Sequence, residues 1–177
     1  MQDHFFRSSA IGIALLASST FLVSAANSGE HKAVTRTVQV TGSGIDRLSG
    51  AIVHSKQTTS TGVIQRSTET VELSGDLHGR VLYHVTSVID LKAGTLVNTG
   101  DQVFSGTVAG SEPVLLHDSK FRFDGDLKSG QDTGSVYLVD HIAGPRVECT
   151  LKVIGTGKNQ DGDPTFTYSG QCRFPDA

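Results

Sequence analysis

The chain has 177 residues, a formal charge of −3, 20 Gly, 4 Pro and no Trp. That near-neutral balance excludes the basic surface that nucleic acid or an anionic membrane would need. Past an N-terminal leader, the length is that of one domain, enough to bury a core without a structural metal.

The leader comes first in chain order. Arg7 lies in a short polar start, Ala10 to Val23 is an apolar run, and Val23, Ser24 and Ala25 put small side chains where a signal peptidase reads. This pattern predicts a signal peptide over 1–25, cleaved after Ala25 or Ala26. A polar, disordered tail over 26–32 follows, then one domain over 33–177. The leader's apolar run is too short to span a bilayer with margin. The expected location is periplasmic or secreted, with no membrane insertion. Two cysteines, Cys149 and Cys172, in an oxidising compartment predict a disulfide.

Period-two patterning dominates the rest. Val34, Val38 and Val40 alternate with Thr35, Thr37 and Gln39. The pattern returns at Val71, Leu73 and Leu77, at Phe121, Phe123 and Leu127, at Val147 to Val153, and at Phe166 to Phe174. Ser43 to Leu48 offers at most a short turn. Turn signals separate the runs at Ser60-Thr61-Gly62, Lys92-Ala93-Gly94, Ser129-Gly130, Ala143-Gly144-Pro145 and Asn159 to Pro164. The fold class is therefore all-β: a single antiparallel meander barrel of about eight strands, or a β-sandwich as the alternative. With Asn159 to Gly162 as a hairpin turn, antiparallel register places Cys149 directly opposite Cys172.

Two strands break the alternation. In 80–90, Val81, Tyr83, Val85 and Ile89 take one parity while Leu82 and Val88 take the other. In 136–142, Val136 and Leu138 oppose Tyr137 and Val139. Strands apolar on both faces must be covered outside as well as inside, which predicts a homo-oligomer through these two segments.

A short repeat recurs at Leu73 to Leu77, Phe104 to Val108, Phe123 to Leu127 and Tyr168 to Cys172. In each, a glycine (Gly75, Gly106, Gly125, Gly170) takes the apolar parity, as a tightly curved, closing sheet needs. The Gly-x-Leu-x-Gly at Gly75 to Gly79 and Gly-x-Val-x-Gly at Gly106 to Gly110 resemble the allene-oxide-cyclase-like barrels. So do Phe121 to Gly125 and Gly134 to Tyr137, within a resemblance covering roughly Leu73 to Phe174. The resemblance implies an eight-stranded antiparallel barrel with a ligand-sized lumen. It carries over no catalytic residue.

Candidate chemistry is sparse. His84 and His141 lie inside apolar strands, where a hydrogen-bonded structural role is preferred. Ser135, Asp140 and His141 have the wrong spacing for a nucleophile turn. Asp161 to Asp163 reads as a hairpin turn rather than a calcium loop. Arg36 shares the parity of Val38 and Val40; it could meet an anionic head group, although a rim position is preferred. No metal, cofactor or catalytic residue is assigned. The expected function is binding of a small apolar or amphipathic molecule in the lumen. Phe104 and Phe123 are the expected walls, Tyr168 the polar contact, and Arg36 a possible fourth site residue. The lumen positions read mostly as Val, Leu and Phe, which counts against the alternative of a cyclase- or isomerase-type enzyme. A second alternative is an envelope- or inhibitor-type interaction module.

Overall fold

The computed structural model describes residues 35–175, so the expected signal peptide and the expected tail over 26–32 lie outside the described residues. Eleven strands form one sheet: β1 (Arg36–Asp46), β2 (Ile52–Thr58), β3 (Gly62–Gly75), β4 (Leu77–Asp90), β5 (Thr95–Val108), β6 (Val114–Asp118), β7 (Arg122–Asp126), β8 (Gln131–Leu138), β9 (Asp140–Ala143), β10 (Glu148–Lys158) and β11 (Pro164–Phe174). The only helical piece among the described residues is a 3-10 turn over Leu48–Gly50. β1 continues through Asp46, so the turn falls just after the stretch in which the sequence suggested one.

Pairing of β1 with both β11 and β3 closes the sheet into an antiparallel barrel. Two of its staves are interrupted strands. β6 and β7 pair with different halves of β5, and β8 and β9 pair with β7 and β6 in turn. Counting each interrupted pair as one stave gives an eight-stranded barrel; β2 lies outside the closure. β2 continues the line of β1 alongside β3, is exposed along its whole length, and has one free edge.

The interior is apolar. Val40, Leu77, Phe104, Val108, Leu116, Leu138, Val147 and Leu151 are all buried. The outward positions of the same strands carry His78, Arg80, Lys152 and Arg173. Among the described residues no helix is long and apolar enough to cross a membrane.

Cys149 pairs with Cys172 as a disulfide, with Cα atoms 4.1 Å apart. The register expected from the sequence holds, but for two reasons that offset each other. The turn is one residue longer than expected, closed by the Asn159 N–H donating to the Asp163 carbonyl at 2.9 Å. A bulge between Gly155 and Gly157 in β10 then absorbs the extra residue.

Glycine placement is corrected in part. Gly75 is exposed at the β3–β4 corner with φ +105°, whereas Gly125 borders the cavity. Two further glycines make room for lumen side chains. A Cβ on Gly42 would lie 2.2 Å from the Tyr168 hydroxyl, and one on Gly134 would lie 2.1 Å from the Phe123 ring. In both pairs the glycine sits directly opposite the aromatic residue on the next strand, and the ring occupies the space a side chain would fill.

Candidate functional site

The lumen has two different ends. At one, Val40, Leu77, Phe104, Val108, Leu116 and the disulfide are fully buried and fill the interior. At the other is a cavity of about 150 Å³, walled by Val71, Leu73, Val81, Phe123, Leu151 and Phe166. A cavity of roughly 150 Å³ lined by apolar side chains holds a molecule the size of benzene. Pockets for drug-sized ligands are larger, roughly 300–1,000 Å³.

One side of the cavity is polar. Asp46 ends β1, Tyr83 projects from β4, and Asn98 and Gln102 project from β5. The Tyr83 hydroxyl lies 2.7 Å from Asp46 Oδ2 and 2.7 Å from Glu69 Oε2. The second oxygen of Glu69 accepts the Ser67 hydroxyl. A phenol has one proton to donate, so it satisfies one carboxylate at a time. Both contacts form together only when one of the carboxyls carries a proton of its own. Burial pushes the Asp46 carboxyl from 3.8 up to about 6, opposed by the Tyr83 hydrogen bond and assisted by repulsion from Glu69 and Asp163. Burial, and then the neighbouring carboxylates, raise Tyr83 well above its ordinary value, so it stays a neutral donor.

Two polar atoms of this wall, Asp46 Oδ1 and Asn98 Oδ1, are buried without a hydrogen-bond partner. Such groups are few in folded proteins and call for an explanation. Gln102 is not among them. Its amide donates to Asp118 Oδ2 at 2.9 Å, and the Tyr137 N–H donates to the same oxygen at 2.8 Å. The Lys120 N–H donates to Asp118 Oδ1 at 2.6 Å, so this buried carboxylate ties down the crossing from β6 to β7.

At the cavity mouth the Asp132 side chain lies between two glycines. A Cβ on Gly125 would fall 2.5 Å from Asp132 Oδ1, and one on Gly155 would fall 3.0 Å from Asp132 Cβ. Partial burial raises the Asp132 carboxyl above its ordinary value. Asp124 also borders the cavity, but its carboxylate is paired with Arg122.

The four expected site residues fare differently. Phe123 lines the cavity, seated on Gly134 with its ring 5.7 Å from that of Phe121. Tyr168 lines it only with its ring. Its hydroxyl accepts the Leu77 N–H at 2.7 Å and lies 3.1 Å from the carbonyls of Ser74 and Leu77, which staples the β3–β4 corner. The polar contact expected of Tyr168 therefore belongs to Tyr83 and Asp46. Phe104 does not reach the cavity. It is fully buried opposite Leu116, in the packed end. Arg36 is not in the lumen: it is exposed at the start of β1, its guanidinium 4.4 Å from the centroid of the Phe174 ring.

The remaining candidates are engaged elsewhere. His84 is exposed and faces Asp101 at 3.4 Å, and His141 Nε2 donates to the Gly144 carbonyl at 2.8 Å. Ser135 accepts the Lys152 ammonium at 2.9 Å, far from any triad partner role. Asp163 is held by Arg47 at 3.3 Å and by the Ser49 N–H at 3.2 Å, so the turn after β10 has no calcium-loop arrangement. Among the described residues no group of three or more potential metal ligands converges.

Sequence reading missed Asp46, Tyr83 and Asn98. Asp46 shares the inward parity of Val40, Gly42 and Gly44, and Tyr83 that of Val81 and Val85. The signal was present in the alternation but masked by the apolar count. The lumen positions are mostly apolar as expected, but Asp46, Tyr83 and Asn98 add polar groups that the apolar count hid.

No family model matches the chain, and neither curated proteins nor solved structures provide a match. Nothing in these comparisons bears on the allene-oxide-cyclase-like resemblance, which rests on the glycine pattern of the sequence alone.

Proposed function

We propose that this protein is an exported barrel that binds one small, largely apolar molecule in its lumen. The observation that carries this reading is a benzene-sized cavity, apolar on most sides, with two unsatisfied buried oxygens on the remaining wall. A ligand that fills the apolar part and offers one hydrogen-bonding group removes the desolvation cost of those oxygens. The disulfide supports an oxidising compartment, periplasmic or secreted. Titration with benzyl alcohol tests the reading, using wild type and Val153→Phe, which extends a ring from a buried wall position. Saturable binding to wild type and its loss in the folded variant is the expected result. No binding to wild type would refute it.

The Asp46–Tyr83–Glu69 set favours a second reading, a cyclase- or isomerase-type enzyme that moves one proton within the lumen. Incorporation of solvent deuterium into carbon positions of a bound probe would mark the enzyme. Retained affinity with no incorporation would mark the binder.

A further inference from the structure

Resting on the lumen-binding reading, we infer that the preferred ligand is a small organic amine: a protonated nitrogen on a benzene-sized apolar body. The charge around the cavity is one-sided. Among the described residues, Asp46 and Asp132 border it with no basic partner on either carboxylate, and Glu69 stands behind Tyr83. Among the described residues, no Lys, Arg or His lines the cavity. The third carboxylate there, Asp124, is already neutralised by Arg122.

An apolar enclosure makes this imbalance costly. A carboxylate taken from water without a counter-charge must regain its solvation from a proton or from a bound cation. The same burial raises the Asp46 carboxyl to about 6. Asp46 Oδ1 and Asn98 Oδ1 are both acceptors, buried and unpartnered, and both residues line the cavity. An ammonium group carries three donors and no acceptor, the inventory that complements two acceptors and a negative charge. A carboxylate or phosphate ligand meets repulsion on the same wall. The size sets the rest of the molecule: about 150 Å³ admits one small ring or a short branched chain, not a fatty acid or a sterol.

The test is a calorimetric titration of the exported protein at pH 7.5 with four ligands of one shape: benzylamine, benzyl alcohol, toluene and benzoate. Benzylamine is expected to bind about 10- to 100-fold more tightly than benzyl alcohol, the gain of a charge-assisted over a neutral hydrogen bond. Toluene is expected to bind more weakly than benzyl alcohol, and benzoate not measurably. In Asp46→Asn the ratio of amine to alcohol affinity should fall to within a few-fold. Asp132→Asn provides the second variant and should reduce the advantage partially. Equal affinity for amine and alcohol in wild type would overturn the amine inference and leave the lumen reading intact. An amine advantage unchanged in both variants would place the cation elsewhere and also overturn it. Failure of all four ligands to bind would overturn the lumen reading and the inference together. The wild-type series decides the matter even if either variant fails to fold.

Discussion

The Asp46 carboxyl makes ligand-free stability depend on pH in an unusual direction. Its pKa is about 6 in the folded barrel against an ordinary value of 3.8. The folded state then holds the proton more tightly than the unfolded chain, so stability falls as pH rises between these two values. Above pH 6 the buried, ionised carboxylate costs about 3 kcal/mol relative to the unfolded chain. Lowering the pH from 7.5 to 4.5 relieves about 2 kcal/mol of that cost. With a urea m-value of about 2 kcal/mol/M, the unfolding midpoint should rise by about 1 M over this interval. The assay is urea unfolding at several pH values, for wild type and Asp46→Asn, with the difference isolating the one group. Asp163, Glu72, Asp90 and Asp126 have lowered values, so their stabilisation is lost only as pH falls below the ordinary carboxylate range. Asp46→Asn keeps an acceptor for Tyr83 and should be the more stable protein at pH 7.5. A difference curve flat from pH 4.5 to 7.5 would refute the reasoning, as would a wild type that gains on Asp46→Asn with rising pH.

Four further outcomes follow from the packing. Replacing both Cys149 and Cys172 by Ala should cost about 3 kcal/mol in reversible unfolding, since the loop they close is of moderate length. Gly42→Ala should cost more than about 3 kcal/mol, because its Cβ would meet the Ser74 carbonyl as well as the Tyr168 hydroxyl. Gly50→Ala has open space and no left-handed backbone, so thermal unfolding should place it within about 0.5 kcal/mol of wild type. Light scattering at tens of micromolar should show a dimer or larger species if the outer face bearing Leu82 and Val88 (49% and 43% exposed) packs against a second copy, and a monomer refutes that pairing.

The fold was legible because alternation and turn residues act locally. Val147 to Val153 and Phe166 to Phe174 show their inward and outward faces in the sequence, and the structure follows them. β2 was not legible: its residues, Ile52 to Thr58, are all exposed, so no buried face imposes an alternation. Nor were the interrupted staves. The switch of β5 from β7 to β6 depends on Asp118, whose partners Gln102 and Tyr137 are distant in sequence. Depth along the barrel axis was also hidden. Parity assigned Phe104 and Phe123 to the same lumen, but only register decides that one fills the packed end and the other borders the cavity. Tyr168 shows the same limit: its inward parity was legible, whereas the engagement of its hydroxyl by the Leu77 N–H was not.

The central claim is that one end of the lumen takes a small apolar guest while the other is filled by its own side chains. Methyl-resolved NMR during titration with benzyl alcohol tests it most directly. Shifts should appear at Val71, Val81, Leu151 and Val153 around the cavity, and stay near zero at Val108, Val114 and Leu116 in the packed end. Shifts absent from the cavity methyls at saturating probe, or confined to exposed Leu82 and Val88, would contradict it.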